Sequence, residues 1–347
     1  MSIVVHKKIK NISKEEVISS VKKAMELAKW RNYVKGKRIF IKTNLLIKRV
    51  IPGLCTSPWV LEGIIRVLKS DRREVYIGDA NVATIKQVEK AAKNWGVLDL
   101  CKKYNITFVN LSKQPTKRIN FNGDVFTHVD VPNILTEVDS IITVPVLKTH
   151  VIPGMTCALK NQWGCIPTFR QQLHPVVDRA IPEINKVLKV SFAVVDATIC
   201  LEGNGPVNGI PKIINSIFAS NDLVSMDAFA ADFIGLGKEN VKYIVNADRL
   251  KVGGMKYKLT GDKTGRIKFI PPKIEDSFIV KTEMRLRNIP LLSYILFKTP
   301  LFKIPAFIAS RYNTIYWYHN RGKKLRNEII RNTLYREEFL QLIKNEK

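Results

Sequence analysis

Short apolar runs that end in polar residues recur along the first two thirds of the chain, and stretches with helical spacing separate them. Ser13 followed by Glu16 fits a capping box, and Val17, Val21, Ala24, Met25 and Ala28 then recur at helical intervals, predicting an amphipathic helix that ends near Gly36. Residues 38–44 read as a strand that delivers Lys42 and Asn44 to its carboxyl edge. Ser57-Pro58 supplies a helix start, continued by Val60, Ile64, Ile65 and Leu68. A second strand covers 74–79 and ends on Asp79. A helix is predicted over 84–94, a strand over 106–111, and a continuous apolar strand of doubly buried type over 140–146. Between these, residues 114–128 alternate around Asn122-Gly123, the pattern of a hairpin, either an insertion or an antiparallel edge. Residues 190–196 form an apolar strand ending on Asp196, and 213–220 form one more. Asn221-Asp222 then caps a helix that stops at Gly235 and Gly237. Strands alternating with helices predict an α/β fold with a mostly parallel sheet flanked by helices, spanning residues 1–250, with a possible second lobe beginning near 140.

Beyond residue 250 the pattern weakens. Residues 251–280 suggest short strands around Gly261 and Gly265, closed by Pro271-Pro272, and 281–347 read as a small, basic, mainly helical appendage. Residues 285–309 are strongly apolar but broken by Pro290, Pro300 and Pro305 and flanked by arginines. No run approaches the twenty apolar residues of a spanning helix. The segment fits a surface lying on an anionic membrane, a cap over an apolar substrate pocket, or short helices packed on the main domain. The tail from Arg311 mixes aromatic and basic residues. That mixture serves a nucleic-acid groove or terminal helices whose aromatics dock on the core, and the lack of a nucleic-acid motif favours the second.

Composition changes this picture in two respects. At 347 residues with 46% hydrophobic content the chain can fill a core, which excludes wholesale disorder. The net charge of +27 calls for an anionic partner, unless it is simply the solvated surface of a lysine-rich protein. Nucleic acid, anionic lipid and a phosphate- or carboxylate-bearing small molecule all satisfy it. Five cysteines without repeated spacing do not form a disulfide framework, and the first residues lack a signal peptide's apolar core. The expected location is cytoplasmic, with peripheral membrane association through the apolar appendage as its variant.

Candidate chemistry concentrates in residues 142–174, where an apolar strand breaks at Lys148, Thr149 and His150. Ligands of open α/β sheets bind beyond the carboxyl ends of strands. His150 is the candidate general acid or base, with Lys148 beside it and Asp196 as a supporting carboxylate. Lysines cost free energy to gather unless an anion neutralises them, so convergence of Lys42, Lys148 and Lys160 would mark an anion site. Asn44, Asp79, Asn161, Glu202, Gly203, Asn204 and Gly205 are further ligand-binding candidates, the glycines because they let a ligand approach backbone. Cys165, the cysteine read as more reactive, and His174 are possible participants. No short histidine spacing supports a metal site, no phosphate-loop pattern occurs, and the cofactor is left open.

The blocks VPVLKTH, CALKNQWGCIP, VVDATICLEGNGPVNG and ASNDLVSMDA, preceded by IKTNLL and VYIGDA, resemble the signature blocks of the domain of unknown function 362 family over roughly residues 38–237. The resemblance implies an α/β domain of largely unassigned activity. Many relatives carry a ferredoxin-like domain with two cysteine-rich cluster motifs, so it also implies redox coupling and a ferredoxin-like partner. This chain has no iron–sulfur cluster motif, which leaves the reaction class open.

Overall fold

The computed structural model describes residues 1–10, 13–82, 87–166, 170–263, 265–333 and 335–346. The chain opens with a strand, β1 (Ser2–Lys8), then α1 (Lys14–Leu27), β2 (Arg38–Lys42), α2 (Pro58–Ser70) and β3 (Glu74–Asp79). Helices α3 (Val88–Asn94) and α4 (Val97–Tyr104) lead to β4 (Thr107–Asn110). The hairpin β5 (Thr116–Asn120) and β6 (His128–Pro132) and one turn of helix, α5 (Ile134–Glu137), follow. Next come β7 (Ser140–Thr143), β8 (Val146–His150), β9 (Gly154–Thr156), α6 (Ala158–Asn161), α7 (Val177–Leu188), β10 (Phe192–Glu202) and β11 (Ile210–Ser220). Helices α8 (Leu223–Phe233) and α9 (Lys242–Arg249) precede β12 (Tyr257–Gly261). The remainder holds α10 (Phe278–Arg287), α11 (Pro290–Lys298), α12 (Lys303–Arg311), a wide-turn helical stretch (Tyr312–Gly322), α13 (Lys323–Asn332) and α14 (Arg336–Lys344).

One sheet runs in the order β12-β1-β11-β10-β7-β2-β3-β4. Strands β10, β7, β2, β3 and β4 are all parallel, while β11 is antiparallel to both β10 and β1. β8 continues alongside β10 where β7 stops, and β9 pairs with it in antiparallel sense. Helices α1, α2 and α4 bury one face with Trp30, Trp59 and Ile64; α6 to α9 cover the other with Leu159, Phe229 and Tyr243. The architecture is the α/β one expected, mostly parallel and flanked by helices, with a helical C-terminal region. Position 140 lies inside the sheet, and β12 is its edge strand.

Local signals explain most of these elements. The Ser13 hydroxyl accepts from the Glu16 amide at 3.2 Å, and Val17, Val21, Ala24 and Met25 are buried below it. Helix α1 stops at Leu27, short of Gly36, with Tyr33 and Lys35 already outside it. Asp222 caps α8 through the amides of Val224 and Ser225. The hairpin expected over 114–128 forms as a separate two-stranded sheet, but it spans 116–132, its second strand starting only at His128. The helix expected over 84–94 begins at Val88; residues 84–86 lie outside the described residues.

One strand is not among those expected, and two readings are corrected. Residues 2–8 form a strand paired with β11 and β12, and its period is masked because both faces are covered. Strand β10 does not end on Asp196: it continues through Ala197, Thr198, Ile199 and Cys200, all buried, and Asp196 sits mid-strand beside a register irregularity. Among the described residues, one strand rather than several occupies 257–270. In the tail, Tyr335 and Phe339 pack on Trp59 with ring centroids 5.3 and 5.0 Å away, so its aromatics do dock on the core.

Candidate functional site

Parallel strands deliver their last residues to one edge, and that geometry places Lys42 of β2 beside Asp79 of β3. The Lys42 ammonium donates to Asp79 Oδ1 at 2.6 Å and to the Thr43 carbonyl at 2.8 Å. Asp79 also accepts from the amides of Ala80 (2.7 Å) and Leu45 (2.8 Å), and both side chains are buried. A buried ion pair with its remaining lone pairs satisfied is locally neutral. Lys42 is therefore matched by a carboxylate.

The hydrogen-bonded chain continues from this pair. Asn161 donates to the carbonyls of Lys42 and Thr43 and to the Thr143 hydroxyl, and accepts from Asn44 at 3.4 Å. Asn44 in turn accepts from the Lys148 ammonium at 2.6 Å, which also donates to the Leu54 carbonyl at 2.6 Å. Lys148 and His150 stand two apart on β8 and so share a face. Lys160 comes from α6, one turn long, whose start is held by Asp227: its carboxylate accepts from the amides of Ala158 (2.7 Å) and Leu159 (3.2 Å).

The cations left over differ from Lys42. Burial pushes the Lys148 ammonium down to about 8, against the pull of Cys55, Asp196 and Asp79. Lys160 is half-buried; burial, then Arg170 and Lys148, push its ammonium down to about 7. Burial, followed by Lys160, His174 and Lys148, holds His150 well below its ordinary value. Lys148 lowers both Lys160 and His150, and Arg170 lowers Lys160, so these groups occupy one neighbourhood. Among the described residues no carboxylate is paired with Lys148, Lys160 or Arg170. Arg170 was not foreseen. Buried, it spends donors on the carbonyls of Trp163 (2.9 Å) and Asn81 (2.5 Å), and loss of solvent lowers its basicity.

His150 is corrected in kind. The Ile152 amide donates to its Nδ1 at 3.2 Å, so the neutral ring carries its proton on Nε2 and offers a donor, not a titrating base near neutral pH. Asp196 is engaged structurally: one oxygen accepts the Ser57 amide at the start of α2 (2.8 Å), the other the amide (3.0 Å) and hydroxyl (2.6 Å) of Thr198. Glu202 is held by Lys212 at 2.7 Å and the Ile270 amide at 3.0 Å.

The glycine loop braces the carboxyl end of β8; the break expected at 148–150 falls instead at 144–145, and β8 carries those residues through His150. Thr149 donates to the Gly203 carbonyl at 2.7 Å, Asn204 accepts from the Lys273 amide, and a Cβ on Gly205 would lie 2.1 Å from the Thr149 carbonyl oxygen. Gly205 is thus required by backbone contact rather than by a ligand. Cys165 is buried near Lys42 and Asp79, but burial pushes its thiol up to about 12, which counts against a thiolate nucleophile. His174 bonds Glu283 of α10 at 3.0 Å and so joins the appendage to the edge of the cluster. Two open clefts, of about 350 and 220 Å³, lie elsewhere, beside Asn185 and Asp222 and along residues 125–130.

The profile of the family described as domain of unknown function (DUF362) matches residues 39–232, which include every residue of the cluster. A thylakoid-associated protein of Synechocystis sp. is 25% identical over 239 residues, 66% of this chain and 73% of that protein. Two solved structures are also similar. The lactate racemase apoprotein from Thermoanaerobacterium thermosaccharolyticum has 16% identity and a TM-score of 0.42 over 68% of this chain and 57% of its own. A Thermotoga maritima protein has 14% identity and a TM-score of 0.37 over 69% of this chain and 59% of its own. This chain therefore spans less than two thirds of either solved protein.

Proposed function

The chain belongs to the DUF362 family, and from that premise we propose that it is an enzyme that binds a small phosphate- or carboxylate-bearing molecule at Lys148, Lys160 and Arg170 and transfers a proton on it. One observation carries this reading: buried Lys148 and buried Arg170 both act on the half-buried Lys160, and none of the three has a carboxylate partner among the described residues, while Lys42 close by has one. Such an arrangement is unfavourable until an anion enters, and then each charge gains a partner in a low-dielectric site. Lys160, brought to about 7, exists in both protonation states near neutral pH and is suited to take up or release a proton. Lys148 is pinned by Asn44 and Leu54 and supplies fixed charge, and His150 presents its Nε2 hydrogen.

The setting that accompanies this reading is the face of a membrane. It draws on the thylakoid association in the relative's name, and no single described helix is long and apolar enough to cross a bilayer. Amine labelling tests the site. Lys160 should react with trinitrobenzenesulfonate at pH 7.5 far faster than the surface lysines, and inorganic phosphate should protect it. Equal rates for all lysines, or no protection by phosphate, would exclude the proposal.

A further inference from the structure

The apolar side chains of α11 and α12 point outward. Leu291 is 69% exposed, Tyr294 61%, Ile304 56%, Phe307 56% and Ile308 57%. Ile304, Phe307 and Ile308 stand at spacings of three and four, so they share one face of α12. Among the described residues of α11 and α12 and the turn between them, Phe297, Phe302 and Ala306 are buried, in a small cluster of their own with Leu286 and Leu296 partly buried beside it. An outward apolar face of this size is far from the scattered exposed residues of an ordinary surface.

The charge around it has one sign. From position 284 to 327 nine lysines and arginines occur and no aspartate or glutamate. Glu283, just before, is bonded to His174 and Arg287. Helix α11 holds nine residues, roughly 14 Å, against a hydrocarbon core of about 30 Å. Helix α12 runs on through the wide-turn stretch into the basic α13. Pro290–Lys298 and Lys303–Asn332 together reach the length and composition of a span, but they are bent by 79°, and no single described helix does. A short apolar helix followed by an apolar first segment of a longer basic helix, both facing outward, fits the interface rather than the bilayer core.

We infer that α11 and α12 dock on an anionic bilayer surface, with Leu291, Tyr294, Ile304, Phe307 and Ile308 seated at the acyl boundary and Lys298, Lys303 and Arg311 on the headgroups. Charge complementarity selects this occupant: a second copy of the chain would bring the same nine cations against themselves. The inference names the surface behind the membrane setting proposed above, and it adds an orientation. Because Glu283 meets His174, the docked face lies beside the cation cluster.

The test is sedimentation of the full chain with phosphatidylglycerol–phosphatidylcholine vesicles and with pure phosphatidylcholine vesicles. The chain should sediment with the first and far less with the second. The variant I304S/F307S/I308S should lose binding. Replacing Lys298, Lys303 and Arg311 by glutamine should weaken it on the order of 100-fold at low salt, since each surface charge contributes about 1 kcal/mol. These residues are exposed, so circular dichroism of both variants should match the wild type. No binding to anionic vesicles, equal binding to both vesicle types, or a concentration-dependent dimer abolished by I304S/F307S/I308S would overturn the inference. Phosphate protection of Lys160 in solution should survive in both variants; its loss from the wild type alone would count against the site and leave the docking face standing.

Discussion

Lys148 and Lys160 make the clearest statement at the scale of single residues, because their environment lowers both ammonium groups from the ordinary 10.5 to about 8 and about 7. Between those values and 10.5 the unfolded chain holds more protons than the folded one. The contribution of these lysines to unfolding free energy therefore rises with pH from about 7 to about 10.5. Urea unfolding of K160M should show a shallower rise across that window and greater stability at pH 7 than the wild type. An unchanged rise would mean the amine is not depressed. Asp79 behaves oppositely, since its loss strands Lys42: D79N should destabilise by about 3–5 kcal/mol in the same experiment. Sequence made Lys148, Lys160 and Asp79 legible because each follows an apolar run directly. The partnership that takes Lys42 out of the free cations was not legible, because it depends on the register that sets β2 beside β3. Arg170 escaped notice because it follows residues 167–169 in a stretch with no periodicity, and only tertiary packing turns it inward.

Two elements hold the site's backbone, and both are short. Helix α6 has four residues, too few to persist alone, and depends on Asp227, which burial pushes up to about 7 and which also accepts from the Tyr243 hydroxyl at 3.1 Å. D227A should cost about 1–3 kcal/mol, the loss of a cap and a buried acceptor, and should also weaken phosphate binding through the displaced Lys160. A calorimetric titration showing unchanged affinity would separate α6 from the site. The carboxyl end of β8 at Thr149 leans on the 203–205 loop, and G205A, which would force a Cβ against the Thr149 carbonyl, should destabilise measurably. Strand and helix alternation predicted these elements in kind. It missed β1 and the extension of β10, where covered faces remove the period of two and a polar residue in mid-strand resembles an ending.

On the scale of the whole molecule, the +27 charge is spread along the chain, and two parts of it have a proposed role, the Lys148, Lys160 and Arg170 cluster and the basic flank of α11 and α12. The sheet order was not recoverable from sequence, since the pairing of β1 with β11 joins residues more than two hundred positions apart. The helical appendage was legible as apolar and basic, but which side it turns outward depends on how little core lies beneath it. Its end is anchored: F339A should cost about 3–5 kcal/mol, because Phe339 is buried against Trp59.

The central claim is that Lys148, Lys160 and Arg170, which have no carboxylate partner among the described residues, take an anion. Isothermal titration with inorganic phosphate at pH 8, repeated in buffers of different ionisation enthalpy, measures both affinity and proton uptake. Binding should draw protons onto the protein, because the anion restores charge to lysines that burial had depressed, and K148M/K160M should lose roughly tenfold or more per lysine removed. Phosphate binding without proton uptake, or undiminished binding by K148M/K160M, would contradict the central claim.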